Sequence, residues 1–319
     1  DSAEFARAGE IYTNILKDYP NSSYSDYAQY QLGLLQLKRA DLTGAIASFK
    51  LILENYTQSK LLDNAVYTLG LAYFQKQDYI ASSDMFAKFQ SEFKDSSLRA
   101  QAFYMLGRCF LNLNKLSEAL KVFKEVLKLY PQDALYSQDA ELLQKSEYEI
   151  ADCYYKLGQE KEAISRFKLL RAKYPDSKLT PEIIWWMGQY YYKQGYPDLA
   201  RMYFNSLAKD FPKSPLIWDA FYALALILSD EGKLEEAIDN FRMAIKIGDA
   251  DITALSLPRL AQCYYKIQDY EQAKLFYQKS LKLANLNLEE VAHLQFSLAE
   301  VLEAKGELDA ALGQYLLVV

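Results

Sequence analysis

The sequence predicts an all-α solenoid of antiparallel helix pairs, and three observations carry that prediction. A small residue, an alanine and an aromatic recur in fixed order along the whole chain. Glycine (12) and proline (8) are scarce among the 319 residues, too scarce for the turns of a β-sandwich or barrel. The chain is 51% hydrophobic and 24% charged, which supplies a sizeable core and excludes disorder.

The recurrence sets the period. Ala-x-x-x-aromatic stands at Ala8/Tyr12, Ala45/Phe49, Ala119/Phe123, Ala163/Phe167, Ala200/Phe204, Ala237/Phe241, Ala273/Tyr277 and Ala311/Tyr315, and Ser82/Phe86 fills the one gap. Successive pairs lie 36–38 residues apart, with a single step of 44. Twelve residues before each alanine but the first is a small residue: Gly33, Gly70, Gly107, Ala151, Gly188, Ala225, Ala261 and Ala299. A period of this length marks a repeat array. Numbering each repeat so that the small residue is position 8 places the alanine at 20 and the aromatic at 24.

Within a repeat, positions 4, 7, 8 and 11 share one helical face; in the fifth they are Ile184, Met187, Gly188 and Tyr191. A second stripe runs through Ala200, Phe204 and Leu207. Between the stripes, at position 15, stand Gly158, Gly195, Gly232 and Gly306, where glycine closes one helix and permits a tight turn. Two antiparallel helices result. Their axes approach over the small residue and the alanine, and the aromatic fills the space beside them. Tyr19-Pro20, Tyr130-Pro131, Tyr174-Pro175 and Phe211-Pro212 end the second helix, because proline cannot continue it.

Taken in order, residues 1–20 form a half repeat, a second helix without its first, and residues 26–131 hold repeats one to three. The long step adds segment 132–143, which is a loop insertion or an extension of the next first helix. In the second case Ser137 caps a helix through Gln138–Leu157, with Leu142 and Leu143 near its start. Seven added residues are close to two turns, so the same face stays inward, and the extension would mark a seam between subdomains. Repeats four to eight fill 144–319, the last incomplete. Pro258 falls near the start of the seventh repeat's first helix, where proline is tolerated. The half repeat at one end and Leu316-Leu317-Val318-Val319 at the other read as a fragment of a longer protein, or as an array able to self-associate through uncapped ends.

These residues resemble the tetratricopeptide repeat (TPR), a helix-turn-helix unit usually about 34 residues long. Trp185-Trp186-Met187-Gly188 through Tyr191-Tyr192-Lys193-Gln194-Gly195, then Ala200 and Phe204, follow that family's pattern. Departures are Thr57, Lys94, Asp249 and Asn285 in place of proline and Ser82 in place of alanine. The resemblance implies a right-handed superhelix whose first helices line a concave surface. The 37-residue form with Tyr-Pro-x-Ser endings is similar to TPR proteins of the bacterial cell envelope, the tol-pal-associated and outer-membrane-assembly lipoproteins. That implies a periplasmic or envelope location. No signal peptide is seen, but the chain starts at Asp1 without a methionine, so that absence does not read as cytoplasmic; the cytoplasm stands as the alternative.

Several functions are excluded by composition. A net charge of −6 and a pI near 5.1 argue against binding to nucleic-acid phosphates. The longest apolar stretch, Leu216–Leu228, is short and contains Asp219, so no direct membrane insertion is expected. The one histidine, His293, has no second histidine or nucleophile motif with it, and no phosphate-cradling glycine loop occurs. No catalytic residue, metal or cofactor is therefore expected. Cys109, Cys153 and Cys263 all occupy position 10, which suits a small buried packing residue.

The candidate site is the face of the first helices one step round from the core. Position 5 carries Tyr30, Tyr67, Tyr104, Tyr148, Trp185 and Tyr222, followed by Pro258 and Phe296. Position 12 adds Phe74, Tyr155, Tyr192 and Tyr265, the last three each followed by a lysine: Lys156, Lys193 and Lys266. Such aromatics offer large, fairly rigid contact area with a polar tip, which suits a protein or peptide partner. The same residues could instead pack neighbouring helices, and both readings stand at this point. Chaperone-binding TPRs clamp a terminal carboxylate with Lys and Asn from three successive repeats; position 9 here, Leu34, Leu71, Arg108, Asp152, Gln189, Leu226, Gln262 and Glu300, supplies no such run. The reading is a non-enzymatic protein-interaction scaffold, the alternative a substrate-recruiting region of a larger enzyme.

Overall fold

The computed structural model describes residues 2–130, 140–175, 177–283 and 286–318. They form seventeen α-helices and, among the described residues, no strand. A lone helix α1 (Ser2–Asp18) precedes eight pairs. The first four are α2 (Ser25–Lys38) with α3 (Leu42–Asn55), α4 (Leu62–Gln75) with α5 (Tyr79–Ala87), α6 (Arg99–Asn112) with α7 (Leu116–Lys128), and α8 (Ala140–Lys156) with α9 (Glu160–Lys173). The rest are α10 (Thr180–Lys193) with α11 (Pro197–Asp210), α12 (Ile217–Asp230) with α13 (Leu234–Ile247), α14 (Ala250–Lys266) with α15 (Tyr270–Ser280), and α16 (Leu288–Ala304) with α17 (Leu308–Tyr315). Two compact units contain them, Asp1–Ser177 and Lys178–Val319.

One contact recurs inside every complete pair. The aromatic at position 24 is buried at Phe49, Phe86, Phe123, Phe167, Phe204, Phe241 and Tyr277, and the alanine or serine at position 20 is buried beside it. The ring lies directly against position 8. A Cβ added to Gly33 or Gly70 would stand 2.8 Å from the Phe49 or Phe86 ring, and one on Gly107 2.6 Å from Phe123. Gly188 is tighter still against Phe204. Ser82 replaces the alanine without an orphaned hydroxyl, because its Oγ donates to the Gly70 carbonyl at 2.8 Å.

The turn between paired helices follows one geometry. Position 15 is left-handed at Gly158, Gly195, Gly232 and Gly306, and equally at Ala40, Gln77, Asn114 and Gln268, with φ from 57° to 64°. The next amide reaches back to the position 11 carbonyl, as in Gln159 to Tyr154 at 2.8 Å, a Schellman closure. Glycine marks only half of these turns; the others hold a residue with Cβ in the same strained conformation.

Repeats are joined by a serine at position 34. Ser59 Oγ donates to Asp26 Oδ2 and Ser96 Oγ to Asp63 Oδ2, each at 2.6 Å, and Ser177 Oγ to Gln144 Oε1 at 2.7 Å. The same serines accept the amides of Leu61 and Leu98 at 3.1 Å. Ser59 and Ser96 therefore each start one first helix and tie it to the one before.

Two expectations change, and a third lies outside the described residues. Pro258 lies in the middle of α14, because Asp249 caps that helix earlier, its carboxylate accepting the Ile252 amide at 3.0 Å. The two compact units part at Ser177 and Lys178, away from segment 132–143. Ser137 and Gln138 lie outside the described residues; α8 runs from Ala140, with Leu142 inside it and Leu143 buried.

Replacing Gly188 with leucine forces a side chain into the Phe204 ring and should lower stability by about 1–3 kcal/mol. An unchanged urea midpoint would refute the contact. Replacing Gln268 with glycine removes left-handed strain worth about 1 kcal/mol. The thermal midpoint should rise, and a fall would show that the turn is not strained.

Candidate protein-interaction face

The first helices present their position 5 aromatics in a constant arrangement. Each ring packs against the position 24 ring of its own repeat: Tyr30 on Phe49 and Tyr67 on Phe86 at 5.6 Å between centroids, Tyr104 on Phe123 at 5.7 Å and Tyr148 on Phe167 at 5.5 Å. In the C-terminal unit Trp185 meets Phe204 at 5.2 Å, Tyr222 meets Phe241 at 5.9 Å and Phe296 meets Tyr315 at 5.4 Å. Edge-on and tilted pairs of this kind contribute about 0.5–1.5 kcal/mol beyond burial. The packing role of position 5 is therefore real, and it leaves the predicted tyrosines and Trp185 half-buried.

Their polar ends reach the following repeat. Tyr30 Oη lies 3.3 Å from Thr68 Oγ1, joining α2 to α4. Tyr104 Oη donates to Glu149 Oε1 at 3.4 Å, joining α6 to α8. In both cases position 5 meets position 6 of the next repeat. Burial pushes the Tyr67 and Tyr104 hydroxyls above the ordinary phenol range.

Glu149 and Arg108 are the residues that sequence reasoning missed on this face. Arg108 Nε stands 3.7 Å from Glu149 Oε1, whose side chain is only 14% exposed. Burial raises the Glu149 carboxyl above the usual range, and Arg108 opposes that shift. Opposite charges at position 9 of one repeat and position 6 of the next were the available signal. The long step between these two repeats hid it.

Position 12 stands further out. Tyr155 and Tyr265 are half-buried, and Tyr192 is 41% exposed. Tyr192 Oη donates to Asp230 Oδ2 at 3.3 Å, from α10 to α12, while Tyr265 packs on Tyr270 at 5.8 Å. Lys156, Lys193 and Lys266 are exposed, and Lys156 pairs with Asp152 at 2.6 Å. The structure thus distributes the predicted residues over both units: Tyr30, Tyr67, Tyr104, Tyr148, Tyr155 and Lys156 in the first, the rest in the second.

The remaining chemistry is spare. The thiols of Cys109, Cys153 and Cys263 are free and buried. Burial raises all three, Cys109 to about 11 and Cys153 to about 12, which keeps them protonated and unreactive. Among the described residues no group of histidine, cysteine and carboxylates is placed to hold a metal ion. Among the same residues no helix is long and apolar enough to cross a membrane.

Known proteins share this architecture. The family model of YfiO, described as an outer membrane lipoprotein, matches residues 1–207, and tetratricopeptide repeat models match 216–286 and 259–319. No curated protein matches the chain at a significant level. Among solved structures, the C-terminal part of a TPR repeat-containing protein from Cytophaga hutchinsonii is 16% identical, with 79% of this chain and 95% of that one covered at a TM-score of 0.63. A tetratricopeptide repeat protein from Parabacteroides merdae is 15% identical, with 91% and 100% covered at 0.57. The apo form of the quorum sensor NprR from B. thuringiensis is 17% identical, with 99% and 96% covered at 0.57. These likenesses bear on the fold, which is that of TPR proteins. With more than half of its residues matched by the family model, the chain belongs to the YfiO family of outer membrane lipoproteins.

Proposed function

We propose that this chain is a non-enzymatic scaffold of the bacterial cell envelope that holds a partner polypeptide against the aromatic face of its first helices. One observation carries the reading: in seven of the eight repeats a position 5 aromatic is locked by a ring contact to the position 24 ring of its own repeat, and six of these aromatics are half-buried. Rings held this way lose little conformational freedom when a partner covers them, so their contact area converts efficiently into affinity. Position 12 supplies the outer edge of the same face, where Tyr155 and Tyr192 offer a ring and hydroxyl and the neighbouring lysines offer charge. A segment lying across one first helix would meet an apolar ring before a polar rim, the usual order in a protein interface. The location rests on the family, whose members are described as outer membrane lipoproteins.

Position 12 permits a cleaner test than position 5, whose rings also support the core. Replacing Tyr155 and Tyr192 together with alanine should weaken partner capture from the native host about tenfold or more, with helical circular dichroism retained and stability lowered by no more than the lost Tyr192–Asp230 bond accounts for, about 1 kcal/mol. Full retention of binding in that variant would refute the aromatic face as the binding surface.

A further inference from the structure

A different face of the fourth repeat carries an arrangement that partner binding does not use. Glu147, Ile150 and Tyr154 follow one another along the stripe of α8 that packs between α7 and α9, at three- and four-residue spacing. Lys124 of α7 donates from Nζ to Tyr154 Oη at 2.8 Å, with its ammonium 5.0 Å from the ring centroid. The Arg166 guanidinium of α9 lies 5.1 Å from the same centroid. The hydrogen bond from Lys124, with Arg166 close by, holds the Tyr154 hydroxyl below the ordinary phenol range.

Both cations lack a counter-charge. Among the described residues neither Lys124 nor Arg166 is paired with a carboxylate, whereas Lys173, two turns further along α9, bonds Glu147 at 2.7 Å. Two half-buried positive charges, at 5.0 and 5.1 Å from one phenol ring centroid, repel each other, and an anion held between them would offset that repulsion.

Beside Arg166 opens a slot of about 500 Å³, lined by Leu127, Leu169, Leu170 and Ala172 and closed at its far end by Lys173 and Glu147. Leu169 is 65% exposed there. Lys124 precedes Leu127 by one turn, Arg166 precedes Leu169 and Leu170 by one turn, and Tyr154 follows Glu147 by two. The cations and the slot therefore lie in line along α8, over about 10 Å at the rise of an α-helix. A free phosphate ion would leave the slot unused, and a neutral chain would leave the cations unpaired. An anionic amphiphile uses both.

We propose that this groove binds one anionic lipid, its phosphate headgroup between Lys124 and Arg166 against the Tyr154 hydroxyl and its acyl chain along Leu127, Leu169 and Leu170. Arginine and lysine give the phosphate oxygens charge-assisted hydrogen bonds, and the leucines remove the chain from water.

Calorimetry on the full chain tests this with lauroyl lysophosphatidylglycerol below its micelle concentration. One molecule should bind per chain, while lauroyl lysophosphatidylcholine should bind about tenfold more weakly and inorganic phosphate at equal concentration should neither bind nor compete. Lys124→Gln with Arg166→Gln, and separately Leu169→Asn, should each weaken binding about tenfold, while Lys233→Gln in the other unit should leave it unchanged. Melting curves confirm that each variant is folded, and Lys124→Gln alone serves if the double variant is not. Equal binding of the two lipids, binding of phosphate as tight as that of the lipid, or affinity indifferent to these substitutions would each overturn the assignment.

Discussion

The contact between the position 24 ring and the bare backbone of position 8 governs this structure. In four repeats the second-helix phenylalanine rests on a glycine, so closely that a single added carbon would collide with it. That contact fixes how near the two helices of a pair lie. It also fixes where the ring's other edge points, which is toward position 5. The aromatic face of the first helices is therefore a second layer built upon the position 24 rings in every repeat but the seventh, where Pro258 stands at position 5.

Polar links then set the relation of one repeat to the next. The position 34 serine ties neighbouring first helices near their starts, and the tyrosine hydroxyls at positions 5 and 12 tie them further along. Each bond is weak, net about 1 kcal/mol, but the pattern repeats. A quasi-one-dimensional array gains its order from such nearest-neighbour terms. The tight turns add a cost of their own, since four of the eight hold a residue with Cβ in the left-handed region.

Two faces of one repeat can serve different ligands because a helix pair has two sides. On α8, Tyr148 and Tyr155 belong to the aromatic row, while Tyr154 turns toward Lys124 and Arg166. Adjacent residues on a helix do not share a face, so a polypeptide on the first and a lipid on the second would not compete for side chains. A lipid on the second face agrees with the family's description as outer membrane lipoproteins, although the proposal rests on the cations and the slot.

The sequence by itself determined the repeat, the helix pairs and the buried positions, because burial in a solenoid is local and periodic. Gly188, Ala200 and Phe204 announce their contact by spacing alone. It also determined that position 5 is aromatic, but not how its rings divide between core and surface. That division depends on the distance between helices, which the glycine contact sets. Only the tertiary structure brought together Arg108 with Glu149 and Lys124 with Tyr154 and Arg166. Those residues come from different helices, and the one long step separates Arg108 from Glu149 and Lys124 from Tyr154, so only their repeat positions, 9 with 6 and 25 with 11, carried a trace of their proximity. The middle placement of Pro258 has the same origin: an early cap at Asp249, a choice made by one side chain's hydrogen bond, moved the start of the helix.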